Sequence, residues 1–181
     1  QPFNLLAQRI EAEYGQRAVA QPTADPNVIS SLRQQVALIQ WYLDRNQIIQ
    51  AMTLAREWLI TAVGYRLGYG FVLKRAIRES ARDGSGVSYG LSGLTQLGRD
   101  VGQGHVFTEA DLNREGRQIL EWPEWEDVRD LARAVQGVRN ELDHAGMNPE
   151  PWPAATVVRK AQNEVWPKLK ALAESWGLLP V

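Results

Sequence analysis

The stretch QIIQAMTLAREWLITAVGYRL at residues 47–67 decides the fold class, because it is apolar almost all the way round. A helix that is hydrophobic on every side lies inside its domain and is covered by other elements. Polar breaks precede and follow it, with DRN at residues 44–46 and GYG at 68–70. We therefore predict that residues 47–67 form the buried central helix of an all-α bundle.

Two charged residues, Arg56 and Glu57, stand in the middle of this apolar stretch. At about 100° per residue, Arg56 lies in the same stripe as Met52 and Leu59. A charge in that position is costly unless it is paired. One interpretation is an ion pair or a side chain that reaches the helix edge. The other is that Arg56 and Glu57 support and orient a functional site.

Helical periodicity in the rest of the chain predicts amphipathic helices and no convincing strand. The stripe Val28, Leu32, Val36, Ile39 and Leu43 is one such pattern, with Ser30 or Ser31 placed to act as its cap. The predicted helices besides the central one are residues 3–20, 28–43, 72–82, 108–120, 123–146 and 154–176. Apart from the N-terminal helix at 3–20, the fold class is thus an all-α bundle of about five or six helices, and we expect Pro167 to kink the last one.

Length and composition describe an ordinary single globular domain. The chain has 181 residues, 44% hydrophobic and 23% charged residues and a net charge of −1, so any nucleic-acid contact must use a local basic patch. It has no cysteine, which fits a reducing cytoplasm, and no apolar run long enough for a membrane span. We predict an N-terminal helix or connector at residues 1–27 and a helical domain at 28–181. Because the chain opens on Gln1, we interpret it as a fragment without its upstream domain.

The segment VRNELDHAGM at residues 138–147 carries the chemistry that we consider first. Arg139 and His144 lie near the predicted end of a helix, and arginine with histidine suffices for RNA cleavage without a metal. Five residues turn a helix by about 140°, so the two side chains point in different directions. A shared site requires either unwinding of the helix end or a second copy of the helix. Gly137, which is costly inside a helix, is consistent with close approach of that second copy.

A purely structural interpretation of these residues is also open. Arg139 and Asp143 are four residues apart and can form a surface ion pair on a helix. His144 in a last helical turn can interact with the helix dipole. His105, the other histidine, we interpret as a surface residue.

Basic residues beside aromatics indicate a surface for single-stranded RNA, because cations neutralise phosphates and rings stack on bases. Lys74, Arg75 and Arg78 follow two tyrosines and a phenylalanine, and Arg133 lies on the outer side of the helix that carries Arg139. We treat these four as candidate RNA contacts, with a solvated helix face as the alternative. The Gly- and Ser-rich residues 83–104 fit neither a P-loop nor a dinucleotide fingerprint, and we predict a long mobile loop there.

The segment AREWL at residues 55–59 and the segment NELDHAGM at 140–147 resemble the HEPN superfamily (higher eukaryotes and prokaryotes nucleotide-binding). That superfamily carries an arginine, a polar residue after it, and a histidine four to six residues on, as in Arg139, Asn140 and His144. The two segments look most like the effector domain of the ancillary ribonucleases of type III CRISPR systems, which cyclic oligoadenylate activates. The resemblance extends over about residues 28–176.

The resemblance implies a metal-independent endoribonuclease of single-stranded RNA that acts in CRISPR antiviral defence, with no cofactor. It implies a homodimer through the Arg139–His144 helix face, in which both copies build one site. His144 would act in proton transfer, Arg139 would stabilise the phosphate, and Asn140 would bind phosphate or orient His144. The cyclic oligoadenylate-binding regulatory domain of that family is not in this chain.

Gly146 departs from the branch of HEPN toxins that carry a tyrosine two residues after the histidine, and this counts against that branch. Two further hypotheses remain. The chain can be a catalytically inactive HEPN-like module for dimerisation or RNA binding, in which Arg139 and His144 are structural. It can also be an unrelated helical bundle that matches by chance.

Overall fold

The computed structural model describes residues 28–70, 86–143 and 150–180, and these residues form the predicted all-α bundle. Over these ranges there is no strand, and the one β-bridge joins Asp100 to Val106. The helices are α1 (Val28–Asp44), α2 (Ile48–Arg66), α3 (Val87–Gln96), α4 (Arg114–Leu120), α5 (Trp125–Asp143) and α6, which has the three segments Ala154–Lys160, Ala161–Val165 and Trp166–Ser175.

Helix α2 is the central helix, as its all-round hydrophobicity predicted. It packs against α1, α3 and α5, and its Trp58 is fully buried. The indole Nε1 of Trp58 donates a hydrogen bond to the carbonyl of Leu32 in α1 at 3.2 Å, which satisfies the polar atom of a buried ring. The predicted polar break between α1 and α2 is a tight turn, with Asn46 in the left-handed region at φ 55°.

The predicted stripe of α1 is buried in full, but the predicted cap is wrong. Val28 is already helical, so Ser30 and Ser31 lie inside α1 rather than at its start. The predicted helix at residues 3–20 and the basic helix at 72–82 lie outside the described residues.

The prediction of a mobile loop over residues 83–104 is wrong for its central part, which is the helix α3. The segment was predicted as a loop because it is rich in glycine. The contacts of two of these glycines explain their presence in a helix. Gly90 and Gly93 face α4 and the turn before it, where a Cβ on Gly90 would lie 2.8 Å from the backbone nitrogen of Gly116. The glycines therefore allow α3 and α4 to cross at close range, a role that is compatible with helix.

The chain between α3 and α4 folds on itself through backbone hydrogen bonds. Gly98 donates to Phe107 and Phe107 donates to Arg99, each at 2.9 Å. His105 is exposed, as predicted, and its Nε2 lies 3.2 Å from Asp111 Oδ1. The single helix predicted at 108–120 is instead a short 3₁₀ turn, Glu109–Asp111, followed by α4.

A new helix start separates those two elements. Asn113 caps α4 by accepting a hydrogen bond from Gly116 N at 2.8 Å, and an N-cap residue has non-helical backbone angles. This cap explains why the helical periodicity of residues 108–120 does not give one continuous helix.

Helix α6 continues past Pro167 instead of breaking there. Proline has no N–H to donate, and its ring crowds the carbonyl four residues earlier, at Asn163. The segment directly before it, Ala161–Val165, is a π-helical turn, which widens the helix where this conflict arises. The kink itself stays a prediction, and the structure shows a local change of helix type next to Pro167.

Within the described ranges, no helix has the length and apolarity needed to cross a membrane. Helix α5 begins at Trp125, two residues after the predicted Pro123, and is helical to Asp143. Its predicted end at Gly146 lies outside the described residues.

Candidate functional site

A cavity of about 230 Å³ lies between α2, α3 and α5. Each helix contributes residues at the spacing of a single helix face, for example Ala132, Gln136, Arg139 and Asn140 from α5. Five apolar side chains form part of its lining: Leu59, Ile60, Leu91, Ala132 and Val135. The remaining lining is polar and includes both Arg56 and Arg139. The cavity therefore combines an apolar wall with two cations.

Arg56 reaches the edge of the core rather than lying inside it. Its side chain is 33% exposed, Nη1 lies 2.8 Å from Glu57 Oε1, and Nη2 donates to Ser88 Oγ at 3.0 Å. The ion pair anticipated from sequence is present, and it is only partly buried. Because Ser88 belongs to α3, the same guanidinium also connects α2 to α3 at the cavity.

Arg139 and Asn140 are neighbours in α5, and both line the cavity. Arg139 is 29% exposed, and its Nη2 lies 3.1 Å from Asp143 Oδ2, so the surface ion pair of the structural interpretation exists. Asn140 is exposed. His144, the third residue of the predicted site, lies outside the described residues.

Arg133 lies against α3 rather than in the cavity. Its Nε donates to the carbonyl of Thr95 at 3.0 Å and its Nη2 to the carbonyl of Leu97 at 3.4 Å. A cation at the carbonyl end of a helix stabilises that end. Burial lowers the pKa of Arg133, and the nearby charges of Arg129 and Arg99 lower it further.

The predicted RNA contacts at Lys74, Arg75 and Arg78 lie outside the described residues. The RNA contact at Arg133 stays a prediction, now for a side chain that already binds two carbonyls of its own chain. Arg56 lies at the cavity with Arg139, and Glu57 contacts it; the role of both residues in supporting the site stays a prediction.

Sequence reasoning missed the contribution of α3, which supplies Ser88, Ser92 and Thr95 to the cavity. Thr95 Oγ1 lies 2.7 Å from the carbonyl of Ser92 and 3.2 Å from Gln136 Oε1, so it joins α3 to α5. The available signal was the spacing of the serines and threonine on one side of a helix, with glycines on the other. It was lost when the segment was interpreted as a loop.

Glu141 was also missed, although it stands within the segment that resembles the HEPN motif. It is 9% exposed, and its Oε1 accepts a hydrogen bond from the backbone N–H of Trp152 at 2.7 Å. This contact connects α5 to the chain just before α6. In the sequence, Glu141 precedes His144 and Trp152 follows it. The signal was its spacing of three residues from the buried Val138, which places it on the inner face of α5.

A second groove, of about 330 Å³, lies on the other side of α5, between α5 and α6. It has a mixed lining, with Arg133, Lys160 and Lys168 alongside Asp130 and Glu164. Lys160 is already engaged there, since its Nζ lies 3.0 Å from Glu164 and 4.8 Å from the ring centre of Trp152. Its lining contains two carboxylates, whereas the lining of the cavity contains none, so this groove is the weaker anion site.

The cavity offers chemistry that suits a phosphorylated ligand. Arginine presents several donors in a fixed plane and favours phosphate oxygens. Hydroxyl and amide groups of α3 and α5 add neutral donors and acceptors. Over residues 28–70, 86–143 and 150–180, no group of three or more histidine, aspartate or glutamate side chains is placed to hold a metal ion.

No protein-family model, curated protein or solved structure matches this chain. The resemblance to the HEPN superfamily consequently rests on the two short sequence segments at residues 55–59 and 140–147.

Proposed function

We propose that this chain is an endoribonuclease domain of the HEPN type, which cuts single-stranded RNA through a composite Arg/His site formed by two copies. One observation supports it above the others. The two segments that resemble the family are distant in sequence, yet Arg56 of one and Arg139 and Asn140 of the other line a single cavity. Their convergence at one cavity supports a shared role for the two segments.

The proposed reaction needs no metal. The 2′-hydroxyl of one nucleotide attacks the adjacent phosphorus, the O2′–P bond forms, and the P–O5′ bond breaks. The departing O5′ takes up a proton from water, so the products are a 2′,3′-cyclic phosphate and a 5′-hydroxyl. His144 takes the proton from the 2′-hydroxyl or positions that hydroxyl, and Arg139 stabilises the negative charge that grows on the phosphate oxygens.

The site requires two copies of α5 in this proposal. Within one helix, residues 139 and 144 are separated by about 140°. Arg139 faces the cavity at the edge of the core, while Asn140 is exposed. A second copy that faces α5 would bring the histidine of one chain to the arginine of the other. The CRISPR defence role and control by cyclic oligoadenylate are further parts of the proposal and rest on the resemblance.

A specific observation favours a second candidate function, a HEPN-like module that dimerises or binds RNA without cutting it. Arg139 Nη2 already lies 3.1 Å from Asp143 Oδ2. This ion pair on the helix surface accounts for Arg139 without any catalytic role. Exposed pairs of this kind contribute less than about 1 kcal/mol. A phosphate can displace such a partner, so this ion pair is compatible with the ribonuclease as well.

The test is cleavage of a fluorescent single-stranded RNA in excess EDTA by wild type, His144→Ala and His105→Ala. The last variant is a matched control, because His105 is the other histidine of the chain and pairs with Asp111 away from the cavity. We expect cutting by wild type and His105→Ala, 2′,3′-cyclic phosphate ends, and no cutting by a folded, dimeric His144→Ala.

The opposite results have separate meanings. Equal cutting by wild type and His144→Ala would refute the assigned role of His144. Absence of cutting by a confirmed wild-type dimer that still binds RNA would support the binding module. Loss of the fold in His144→Ala would make this histidine structural.

A further inference from the structure

The cavity between α2, α3 and α5 has a composition that a phosphate alone does not explain. A phosphate needs donors, whereas Leu59, Ile60 and Leu91 form an apolar wall of this cavity. A nucleobase has apolar faces and a polar edge, so it matches a site with one apolar wall and one polar wall.

The polar wall is placed to receive such an edge. Ser88, Ser92 and Gln136 line the cavity with hydroxyl and amide groups, which offer both donors and acceptors. Ser92 and Gln136 are exposed, so a ligand reaches them from solvent. Base edges are recognised by groups of this kind in single-stranded RNA, where unstacked bases are free to enter a pocket.

Size also favours a single base. Pockets for drug-sized ligands occupy about 300–1,000 Å³, and this cavity is smaller, at about 230 Å³. The two arginines supply the charge complementarity, since Arg56 and Arg139 border the same space and a nucleotide carries its phosphate next to its base.

We infer that this cavity is a subsite for one nucleobase of single-stranded RNA, next to the phosphate that Arg139 holds. The inference rests on the proposed function, because it places the base of a substrate nucleotide beside the proposed scissile phosphate. It adds that recognition is by base as well as by charge, so cleavage depends on which base occupies the cavity.

Methyl NMR on the whole chain tests this directly. The probes are the 2′-O-methyl dinucleotides ApA, CpC, GpG and UpU, which lack the attacking hydroxyl, and ribose 5-phosphate as a probe without a base. A base that enters the cavity stacks near the methyl groups of Leu59, Ile60 and Leu91, and its ring current moves their resonances upfield. Ribose 5-phosphate leaves these resonances in place.

Two variants fill the cavity from its exposed rim, Ser92→Phe from α3 and Gln136→Phe from α5. The control is Ser175→Phe, an exposed serine at the end of α6 that does not line the cavity. We expect the dinucleotide-dependent methyl shifts in wild type and Ser175→Phe, and their loss in whichever rim variant is folded.

Several results would overturn the inference. The first is saturable binding of a dinucleotide that leaves the cavity methyl resonances unchanged, and the second is no dinucleotide binding at all. The third is an identical shift of these resonances with ribose 5-phosphate. The fourth is a shift that depends on protein concentration, because this would place a second copy of the chain in the cavity. RNA cleavage is measured separately. Cleavage without cavity shifts refutes the subsite alone. Cavity shifts in a confirmed dimer that does not cut keep the subsite and favour the RNA-binding module over the ribonuclease.

Discussion

Arg56 of α2 and Arg139 of α5 line the same cavity, and each is paired with an acid on its own helix. Arg56 contacts the adjacent Glu57 at 2.8 Å, and Arg139 contacts Asp143 one turn later at 3.1 Å. Both side chains are about one-third exposed, so solvent screens these pairs and each contributes little to stability. The proposed function assigns to these two cations a shared anion, a phosphate of the RNA.

We expect Arg139→Gln to lower kcat/KM for RNA about a hundredfold or more, because loss of a donor to the transition-state charge costs on that order. Arg56→Gln should lower it about tenfold, the value of one hydrogen bond from a charged group. Steady-state cleavage measures both. Arg159→Gln, an exposed arginine of α6, is the control and should keep the wild-type rate.

If Arg56→Gln cleaves RNA at the wild-type rate, the role of Arg56 is structural and lies in its contact with Ser88. Thermal unfolding of the same variant separates the two roles, since a purely structural arginine would change stability and leave cleavage per folded molecule intact.

Gly90→Ala should lower the free energy of unfolding by about 1–3 kcal/mol, the cost of overpacking a close contact. A Cβ at residue 90 would lie 2.8 Å from the backbone nitrogen of Gly116, which cannot move without shifting α4. Gly93→Ala is the matched comparison, because its Cβ would meet a methyl group of Leu112, also at 2.8 Å, and a methyl can rotate away. Urea unfolding should rank Gly90→Ala as the more destabilised; an equal or reversed ranking contradicts this account.

Apolar periodicity was sufficient to predict α1, α2 and the length of α6, because each carries a long and strong hydrophobic pattern. It failed at α3, where glycines that permit a close helix crossing were taken for loop residues. It also missed the break at Asn113, since one capping side chain outweighs the periodicity around it.

The same error hid the cavity. Arg56 and Arg139 were identified as separate candidates, but the cavity that they share is completed by α3, which packs against both α2 and α5. The inward position of Glu141 depends on a partner, Trp152 N–H, that follows in a proline-rich stretch with no periodic pattern. Contacts between distant segments of this kind are not encoded in local spacing.

Gly137→Ala should stabilise the single chain by about 1 kcal/mol, the difference between alanine and glycine inside a helix. Space permits it, because a Cβ at residue 137 would meet only the ring of Trp152, at an ordinary 3.8 Å. If a second copy of α5 approaches at this position, the added methyl should weaken the dimer about tenfold, the cost of modest overpacking. Urea unfolding and sedimentation at several concentrations measure the two effects; an unchanged dimer would remove Gly137 from the interface.

The hydrogen bond between Tyr69 and Glu115 should make stability fall at alkaline pH. Tyr69 Oη donates to Glu115 Oε1 at 2.9 Å, and burial, followed by this bond to a carboxylate, raises the pKa of Tyr69. A raised pKa means that the folded chain keeps the proton when the unfolded chain has lost it. The contribution of Tyr69 is therefore complete below the unfolded value of about 10 and is lost as the pH rises through the folded value.

Tyr69→Phe removes both the bond and the titration. Below pH 10 it should be less stable than wild type by about 1 kcal/mol, since Glu115 is buried and loses a donor. As the pH rises above 10, the difference between the two proteins should shrink. Urea unfolding between pH 8 and pH 11 gives both quantities, with Tyr65→Phe, an exposed tyrosine of α2, as control. A constant difference across this range would show that Tyr69 contributes through packing and not through its proton.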